Sequence, residues 1–538
     1  MPHEPSDMNR RDDLEPAWPR AEAPMEPAAA PERRGGPRGF TALAWVLIIL
    51  MVALRLVLLA MVEQDTVGPD LVGRTLMRIQ GRYLVGAAQV AGEGPALYSQ
   101  STALNAGTVD QRLRFAVLAG ELAGPGEARK ILDGLAGLIH EEEQQTAYGE
   151  NPFRPRAENR EAMALLRKLY APGGEGIGNG PAGGDTRAGA AEPAELINID
   201  ALTADERDAL VETLGWFGEL ALAPPGTENT AAREAVLAPA LRTFVAVIVA
   251  FVAACIVGFG GFIGLVVMIV FLAMRLLRSG IEPGAAHHGL YAETFALWLL
   301  AFLVLQLGAE AVSLVAGGSP VLVMFAVLFA FFLSLVVLGW PVLRGVPWSQ
   351  VRADIGWTVG RTRSAGAWPI EVVIGLAGYA MTLPILAVGV ALTFVLIVVD
   401  QALAGAQPTF APAGGPAHPI IAELAEGNVL LIVLVLALGS IAAPIVEETM
   451  FRGVLYRHLR DVSATLGLLV SIVFSTALTG FIFAVIHPQG WVAIPALMAL
   501  ATGFTLAREW RGTLIPAVVM HAVSNGIVLG MVVFLAGR

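Results

Sequence analysis

The sequence predicts an all-α polytopic membrane protein with about nine transmembrane helices, and with an α-helical extracytoplasmic domain between the first and the second. Composition gives the first indication, since hydrophobic residues make up 55% of the 538 residues and charged residues only 15%, with a mean hydropathy of +0.64. Soluble proteins carry about 25% charged residues. The second indication is the recurrence of apolar runs of about 20 residues, the length that crosses a bilayer as a helix.

The second apolar run is much longer than a bilayer requires, so it must tilt, project from the membrane or bend at its glycines Gly258, Gly260 and Gly261. The remaining runs have ordinary lengths. The predicted spans are 42–62, 243–274, 290–316, 321–342, 369–399, 429–447, 465–487, 491–507 and 513–535.

Charge asymmetry predicts the orientation of these spans. Arg33, Arg34 and Arg38 precede the first span, which places the N-terminus in the cytoplasm, because cytoplasmic flanks carry an excess of basic residues. The connections on the opposite side at 317–320, 400–428 and 488–490 contain no Lys or Arg. The bias towards Arg, Ala and Gly is typical of a bacterial protein, so we expect a multi-pass protein of the bacterial inner membrane.

Five regions follow from these patterns. Residues 1–41 are polar and poor in large apolar residues, which predicts a disordered cytoplasmic segment. The other four regions follow in chain order: a membrane anchor at 42–62, the extracytoplasmic domain at 63–242, transmembrane helices with loops at 243–428 and a C-terminal transmembrane catalytic core at 429–538.

The predicted extracytoplasmic domain contains amphipathic stretches separated by Gly, Pro and Asn, at 70–91, 109–122, 126–143, 157–170 and 203–222. Thr203 and Glu206 have the spacing of a capping box at the start of the last stretch. Residues 172–194 are Gly-rich and are expected to form a flexible loop. The single cysteine, Cys255, excludes disulfides within the chain, and the net charge of −11 gives no support for nucleic-acid binding.

Three polar groups interrupt the apolar helices of the C-terminal core. They are Glu447-Glu448 with Arg452, Phe483 with His487, and His521 with Asn525. Charged and polar side chains are costly in hydrocarbon, so membrane spans keep them mainly where they handle an ion, a proton or a reaction. Each group alone has an ordinary structural explanation, but together they supply the components of a water-activating site.

Helical spacing separates the roles within these groups. Glu448 and Arg452 lie four residues apart and can pair, which leaves the neighbouring Glu447 for acid–base chemistry. By the same spacing Phe483 can pack on the His487 ring, and His521 can hydrogen-bond to Asn525.

Two chemistries remain open for the combined residues. Glu447, His487 and His521 could ligate zinc and leave one position for water. Alternatively, Glu447 and His487 could activate water without a metal while His521 and Asn525 stabilise an oxyanion. No HExxH sequence is present to support a zinc-protease helix.

The order EExxxR, FxxxH and HxxxN/D resembles the CAAX-protease and bacteriocin-processing (CPBP or Abi) family of intramembrane endopeptidases, over residues 429–530. The resemblance implies a helical bundle around a cavity open to the cytosol. It implies that Glu447 and His487 activate the water and that His521 and Asn525 bind the oxyanion. The remaining residues, Glu448, Arg452 and Phe483, would support the site structurally. No cofactor is assigned, and zinc stays an alternative.

The expected function is therefore an intramembrane endopeptidase that hydrolyses a peptide bond of a membrane-associated or lipidated protein. The alternatives are a non-catalytic binding or scaffold protein and an ion-coupled transporter. Expected partners are a protein or peptide substrate and the lipid bilayer, without nucleic acid, and the oligomeric state stays open. One difficulty remains, because counting along the spans places Glu447 near the inner face and His487 near the outer face. Staggered helices, a thinned membrane or a sixth helix that continues past Glu448 through Val454 and Leu455 would bring them together, and the last is favoured.

Overall fold

The computed structural model describes ten stretches of the chain: 38–62, 69–105, 108–145, 157–171, 197–226, 229–282, 289–315, 319–359, 365–403 and 428–536. Residues 1–37 of the expected disordered segment and the Gly-rich loop at 172–194 lie outside them. The described stretches contain helices and no strand, which confirms the all-α class.

The described residues include nine helices long and apolar enough to cross a membrane, as the sequence predicted. They are named the first to the ninth span in chain order. Their bounds are Arg38–Val62, Thr230–Ala273, Leu290–Val315, Pro320–Leu343, Trp368–Leu403, Val429–Leu466, Leu468–Ile486, Ile494–Arg511 and Ile515–Ala536.

The sixth span continues far beyond its predicted end at residue 447, and reaches Leu466. The prediction was wrong because it treated the charges from Glu447 onwards as a helix end. In the structure Glu448 and Arg452 are fully buried and paired with each other, so they do not require an exit to water. Two π-helical segments, Leu438–Ala442 and Thr449–Leu455, lie within this span.

The second span begins thirteen residues before its predicted start, at Thr230, where the Asn229 side chain accepts a hydrogen bond from the Ala232 amide. The first turns of the span extend past the apolar stretch and pack against Pro69–Ala91, and the helix is continuous through its glycines.

The residues between the first and second spans form a helical cluster with its own apolar core, which includes Leu113, Phe115, Leu166 and Phe217. The predicted capping box is present, since Thr203 and Glu206 exchange hydrogen bonds. The last predicted stretch is divided at Gly215, which has a φ of 59°. The helices are Pro69–Ala91, Gly94–Ser101, Val109–Ala123, Pro125–Gln145, Ala157–Leu169, Ala204–Leu214 and Trp216–Ala221.

This cluster is fastened to the first turns of the second span. Arg233 forms an ion pair with Glu121 (Nη1 to Oε2, 2.9 Å), and Trp216 donates from Nε1 to the Val236 carbonyl at 2.9 Å. Gly86 lies so close to the backbone of the second span that a Cβ on Gly86 would be 2.4 Å from the Ala240 carbonyl oxygen. The helix Pro69–Ala91 also touches the ninth span.

The apolar core of the transmembrane bundle surrounds the C-terminal half of the sixth span. Phe451 and Phe483 meet edge to face at a centroid distance of 5.1 Å, and Phe295 and Trp298 of the third span pack on Phe451. Ile48 of the first span belongs to the same cluster. The first, third, sixth and seventh spans therefore share the core that lies beside the polar groups.

Candidate active site

The sixth and seventh spans form a hairpin that brings Glu447 and His487 to the same level. Glu447 lies twenty residues before the hairpin turn at Gly467, and His487 lies twenty residues after it. At about 1.5 Å per residue both are roughly 30 Å from the turn. The difficulty over depth came from ending the sixth span at residue 447, and the longer helix removes it.

His521 lies at the level of Glu447 because the ninth span starts beside the middle of the sixth span, far from the turn at Gly467. Leu514, next to the start of that span, packs against Gly453 of the sixth span. A Cβ added to Gly453 would lie 3.5 Å from Leu514 Cδ1. His521 follows Leu514 by seven residues, and Glu447 precedes Gly453 by six. Three separate spans therefore converge on one point.

Glu447 lies between two imidazoles. Its Oε2 atom is 3.7 Å from His487 Nε2 and 3.8 Å from His521 Nε2. The side chains of Glu447 and His487 are 16% and 17% exposed, and that of His521 is 6% exposed. Oε2 of Glu447 is buried and has no direct hydrogen-bond partner among the described residues. The carboxylate therefore faces both rings at distances longer than a direct hydrogen bond.

The end of the seventh span orients the His487 ring. The helix stops at Ile486, and the His487 amide bonds to the Ala484 carbonyl at 3.3 Å. The Phe483 carbonyl, one residue earlier, accepts instead from His487 Nδ1 at 2.6 Å. Because a carbonyl can only accept, Nδ1 carries a proton and Nε2 faces Glu447. The Phe483 ring packs on the imidazole at 4.1 Å, as its spacing predicted.

Glu448 connects Arg452 to His521. Its Oε1 atom accepts from Arg452 Nη1 at 2.9 Å, which is the predicted pair, and lies 2.8 Å from His521 Nδ1. Arg452 also lies over the Phe483 ring, with its Cζ 4.5 Å from the centroid. The second contact of Glu448 was not predicted, and it directs His521 Nε2 towards Glu447.

Asn525 does not form the predicted hydrogen bond with His521. Within the described residues, its Nδ2 donates to the Gly439 carbonyl of the sixth span at 2.8 Å. The first π segment explains this contact, since the Ala443 amide bonds five residues back to Leu438 and releases the Gly439 carbonyl. Asn525 still lies one turn beyond His521 and faces the sixth span.

The zinc alternative has no preformed ligand set in the described part of the chain, where no group of three His, Cys, Asp or Glu side chains is arranged to hold a metal ion. Zinc bonds of about 2.0–2.1 Å in a tetrahedral site would place neighbouring ligand atoms about 3.4 Å apart. The separations of 3.7 and 3.8 Å around Glu447 are longer. Glu447, His487 and His521 are therefore not preassembled as zinc ligands.

A second buried polar cluster joins the sixth and eighth spans below the site. Glu509 accepts from Arg460 through two bonds of 3.1 Å, from Tyr456 at 2.9 Å and from Ser279 at 2.7 Å. Arg460 also donates from Nη1 to Ser471, so the groups of this cluster are engaged with one another. We assign it to helix association and not to chemistry.

Comparison with known proteins agrees with the geometry of the site. Residues 429–527 match the family of type II CAAX prenyl endopeptidases, Rce1-like. The matched segment begins with the sixth span and ends just after Asn525, so it contains every predicted site residue. It confirms the resemblance predicted for residues 429–530. No curated protein and no solved structure matched the chain.

The Rce1-like segment covers the last four spans only, and the residues before Val429 lie outside it. Arg55 lies outside the segment but contacts the site, and the sequence analysis did not identify it. Arg55 of the first span donates from Nε to the Ile486 carbonyl at 3.4 Å, directly before His487. The signal was present, because Arg55 is the one charged residue in the apolar stretch Phe40–Val57.

Proposed function

We propose that this chain is an intramembrane endopeptidase that hydrolyses a peptide bond of a membrane-associated or lipidated protein. The observation that carries the proposal is the convergence of the Glu447 carboxylate with two imidazoles inside membrane-spanning helices. The Rce1-like match, which belongs to a protease family, supports it independently.

Glu447 is the proposed base. Separations of 3.7 and 3.8 Å are of the size that one bridging water spans, with hydrogen bonds to the carboxylate and to an imidazole. Glu447 takes a proton from this water, and the water oxygen forms a bond to the scissile carbonyl carbon. The carbonyl π electrons move to oxygen and give a tetrahedral oxyanion.

His487 is the proposed partner of Glu447 in moving protons. Its Nδ1 is held by the Phe483 carbonyl, so Nε2 is the nitrogen that can accept a proton and return it. When the oxyanion re-forms the carbonyl, the C–N bond breaks and the leaving nitrogen takes the proton that Glu447 removed from the water, delivered through His487 Nε2. The products are a new carboxylate and a new amine.

His521 and Asn525 are the proposed oxyanion donors. Nδ1 of His521 is committed to Glu448, so donation comes from Nε2 when the ring carries both protons. Asn525 donates one Nδ2 proton to Gly439 and retains a second proton on the same nitrogen. Removing one oxyanion donor typically costs about 10²–10³ in kcat.

The substrate class follows from the position of the site. Its catalytic groups lie on the sixth, seventh and ninth spans, so a peptide must enter the bundle from the membrane region or its surface. This favours a polypeptide that is already held at the bilayer. We extend the proposal no further towards a prenyl group or a defined cleavage sequence.

The substrate can be identified by comparing membrane proteomes. A deletion strain would be complemented with wild type, with Glu447→Gln or with the matched control Glu234→Gln, an exposed carboxylate near the start of the second span. We expect one or more uncleaved membrane proteins in the Glu447→Gln strain only. Normal cleavage in that strain would reject the proposal and would favour a binding role, and ion flux by the purified protein in liposomes would favour a transporter.

A further inference from the structure

Arg55 is a charged residue inside the first span, and it contacts the candidate site from outside the Rce1-like segment. An arginine in an apolar span is costly unless it reaches water at the membrane surface or a polar partner inside the protein. Here Nε is directed inwards to the Ile486 carbonyl at 3.4 Å. The contact therefore joins a charged group to the residue that immediately precedes His487.

The packing of the first span makes this contact part of the bundle. Ile48 belongs to the core cluster that contains Ile482 and Phe483 of the seventh span, and Ile486 packs against that cluster. Trp45 donates from Nε1 to His458 of the sixth span at 3.3 Å. The first span is therefore held against both helices whose residues meet at Glu447 and His487.

The Ile486 carbonyl is one of the last acceptors of the seventh span. Carbonyls at a helix C-terminus lack helical partners, and a cation there is favoured by the helix dipole. Two earlier carbonyls show how this end is organised, since Ala484 accepts from the His487 amide and Phe483 from the His487 ring. Arg55 adds a third contact at this end, to the carbonyl of the peptide that joins Ile486 to His487.

We propose that Arg55 positions His487 by capping the carbonyl end of the seventh span. It touches neither substrate nor water in this role, and it acts through the backbone that aims His487 Nε2 at Glu447. The expected effect of Arg55 on the cleavage rate rests on the proposed function. The positioning itself is a structural property that can be measured without a substrate.

The test uses the full chain in lipid nanodiscs with three variants. Arg55→Gln removes the charge, Arg55→Lys keeps it, and Leu56→Gln adds a polar group at the neighbouring lipid-facing position, which is 44% exposed. Imidazole ¹⁵N spectra report the His487 tautomer, with His487→Gln for assignment. Cleavage of the substrate found by proteomics gives kcat and KM.

We expect Arg55→Gln to lower kcat by about tenfold to hundredfold with KM unchanged, because misplacing a catalytic group by about 1 Å has effects of that size. The spectrum should change from one Nδ1-protonated tautomer to a mixture. Arg55→Lys should recover most of both properties, and Leu56→Gln should match wild type.

A wild-type His487 spectrum in Arg55→Gln would overturn the inference, whatever the rate. A change confined to KM would also overturn it, since it would make Arg55 a substrate-contacting residue. If wild-type protein cleaves nothing, the proposed function is rejected but the positioning role of Arg55 is not. The His487 spectra still decide whether Arg55 positions the ring.

Discussion

Glu447 and His487 face each other across 3.7 Å although forty residues separate them in the chain, because each lies the same distance from the turn at Gly467. Two antiparallel helices joined by a short turn bring such positions level. The sixth span must remain helical for nearly twenty residues after Glu447 for this to happen. Buried pairs of the kind formed by Glu448 and Arg452 make that possible, since they neutralise charge inside the helix bundle.

The Glu448–Arg452 pair should dominate the stability of the site. Both side chains are fully buried, so Arg452→Met removes the cation paired with the Glu448 carboxylate and should lower the free energy of unfolding by about 3–5 kcal/mol. The double variant Glu448→Gln/Arg452→Met should recover part of this loss. Thermal unfolding in detergent would measure both, and equal stability of Arg452→Met and wild type would contradict a buried ion pair.

Asn525 should contribute to stability as well as to rate. Asn525→Asp keeps the size of the side chain and removes both N–H donors, so the bond to the Gly439 carbonyl is lost. We expect a loss of about 1–3 kcal/mol in unfolding free energy from the buried acceptor left without its partner. Unfolding and cleavage should be measured on the same samples. Unchanged stability would show that the contact with the π segment is dispensable.

Metal removal separates the two chemistries left open by the sequence. Because Glu447, His487 and His521 do not form a zinc-ligand set, cleavage should survive dialysis against a strong chelator. Elemental analysis of active protein should find no stoichiometric zinc. Loss of activity on chelation, with recovery on adding zinc, would show that these side chains rearrange around a metal.

The orientation of the chain can be tested by cysteine labelling. In a Cys255→Ser background, a single cysteine replaces either Glu219 in the cluster between the first two spans or Arg352 in the connection after the fourth span. Both positions are exposed. With the N-terminus in the cytoplasm, an impermeant thiol reagent added to intact cells should label position 219 only. Labelling of position 352 alone would invert the topology.

Periodic and compositional features of this protein could be read from the sequence. Apolar length predicted all nine spans, and four-residue spacing predicted the Glu448–Arg452 pair and the packing of Phe483 on His487. These features depend on one helix at a time. Hydropathy and regular helical geometry are sufficient to determine them.

Contacts between spans could not be predicted in the same way. The π segment that releases the Gly439 carbonyl changes the partner of Asn525, and regular helical spacing cannot anticipate it. The bond from His521 to Glu448 depends on where the ninth span starts relative to the sixth. Arg55 shows the same limit, because a lone charge in a span predicts that a partner exists and not which helix supplies it.

The central claim is that Glu447 activates a water molecule that attacks the scissile carbonyl. Single-turnover cleavage in H₂¹⁸O, followed by mass spectrometry of the new C-terminus, tests it most directly. We predict one ¹⁸O atom in the new carboxylate on the first turnover with wild-type protein, and no product with Glu447→Gln. First-turnover product without ¹⁸O, or cleavage by Glu447→Gln at the wild-type rate, would contradict the account.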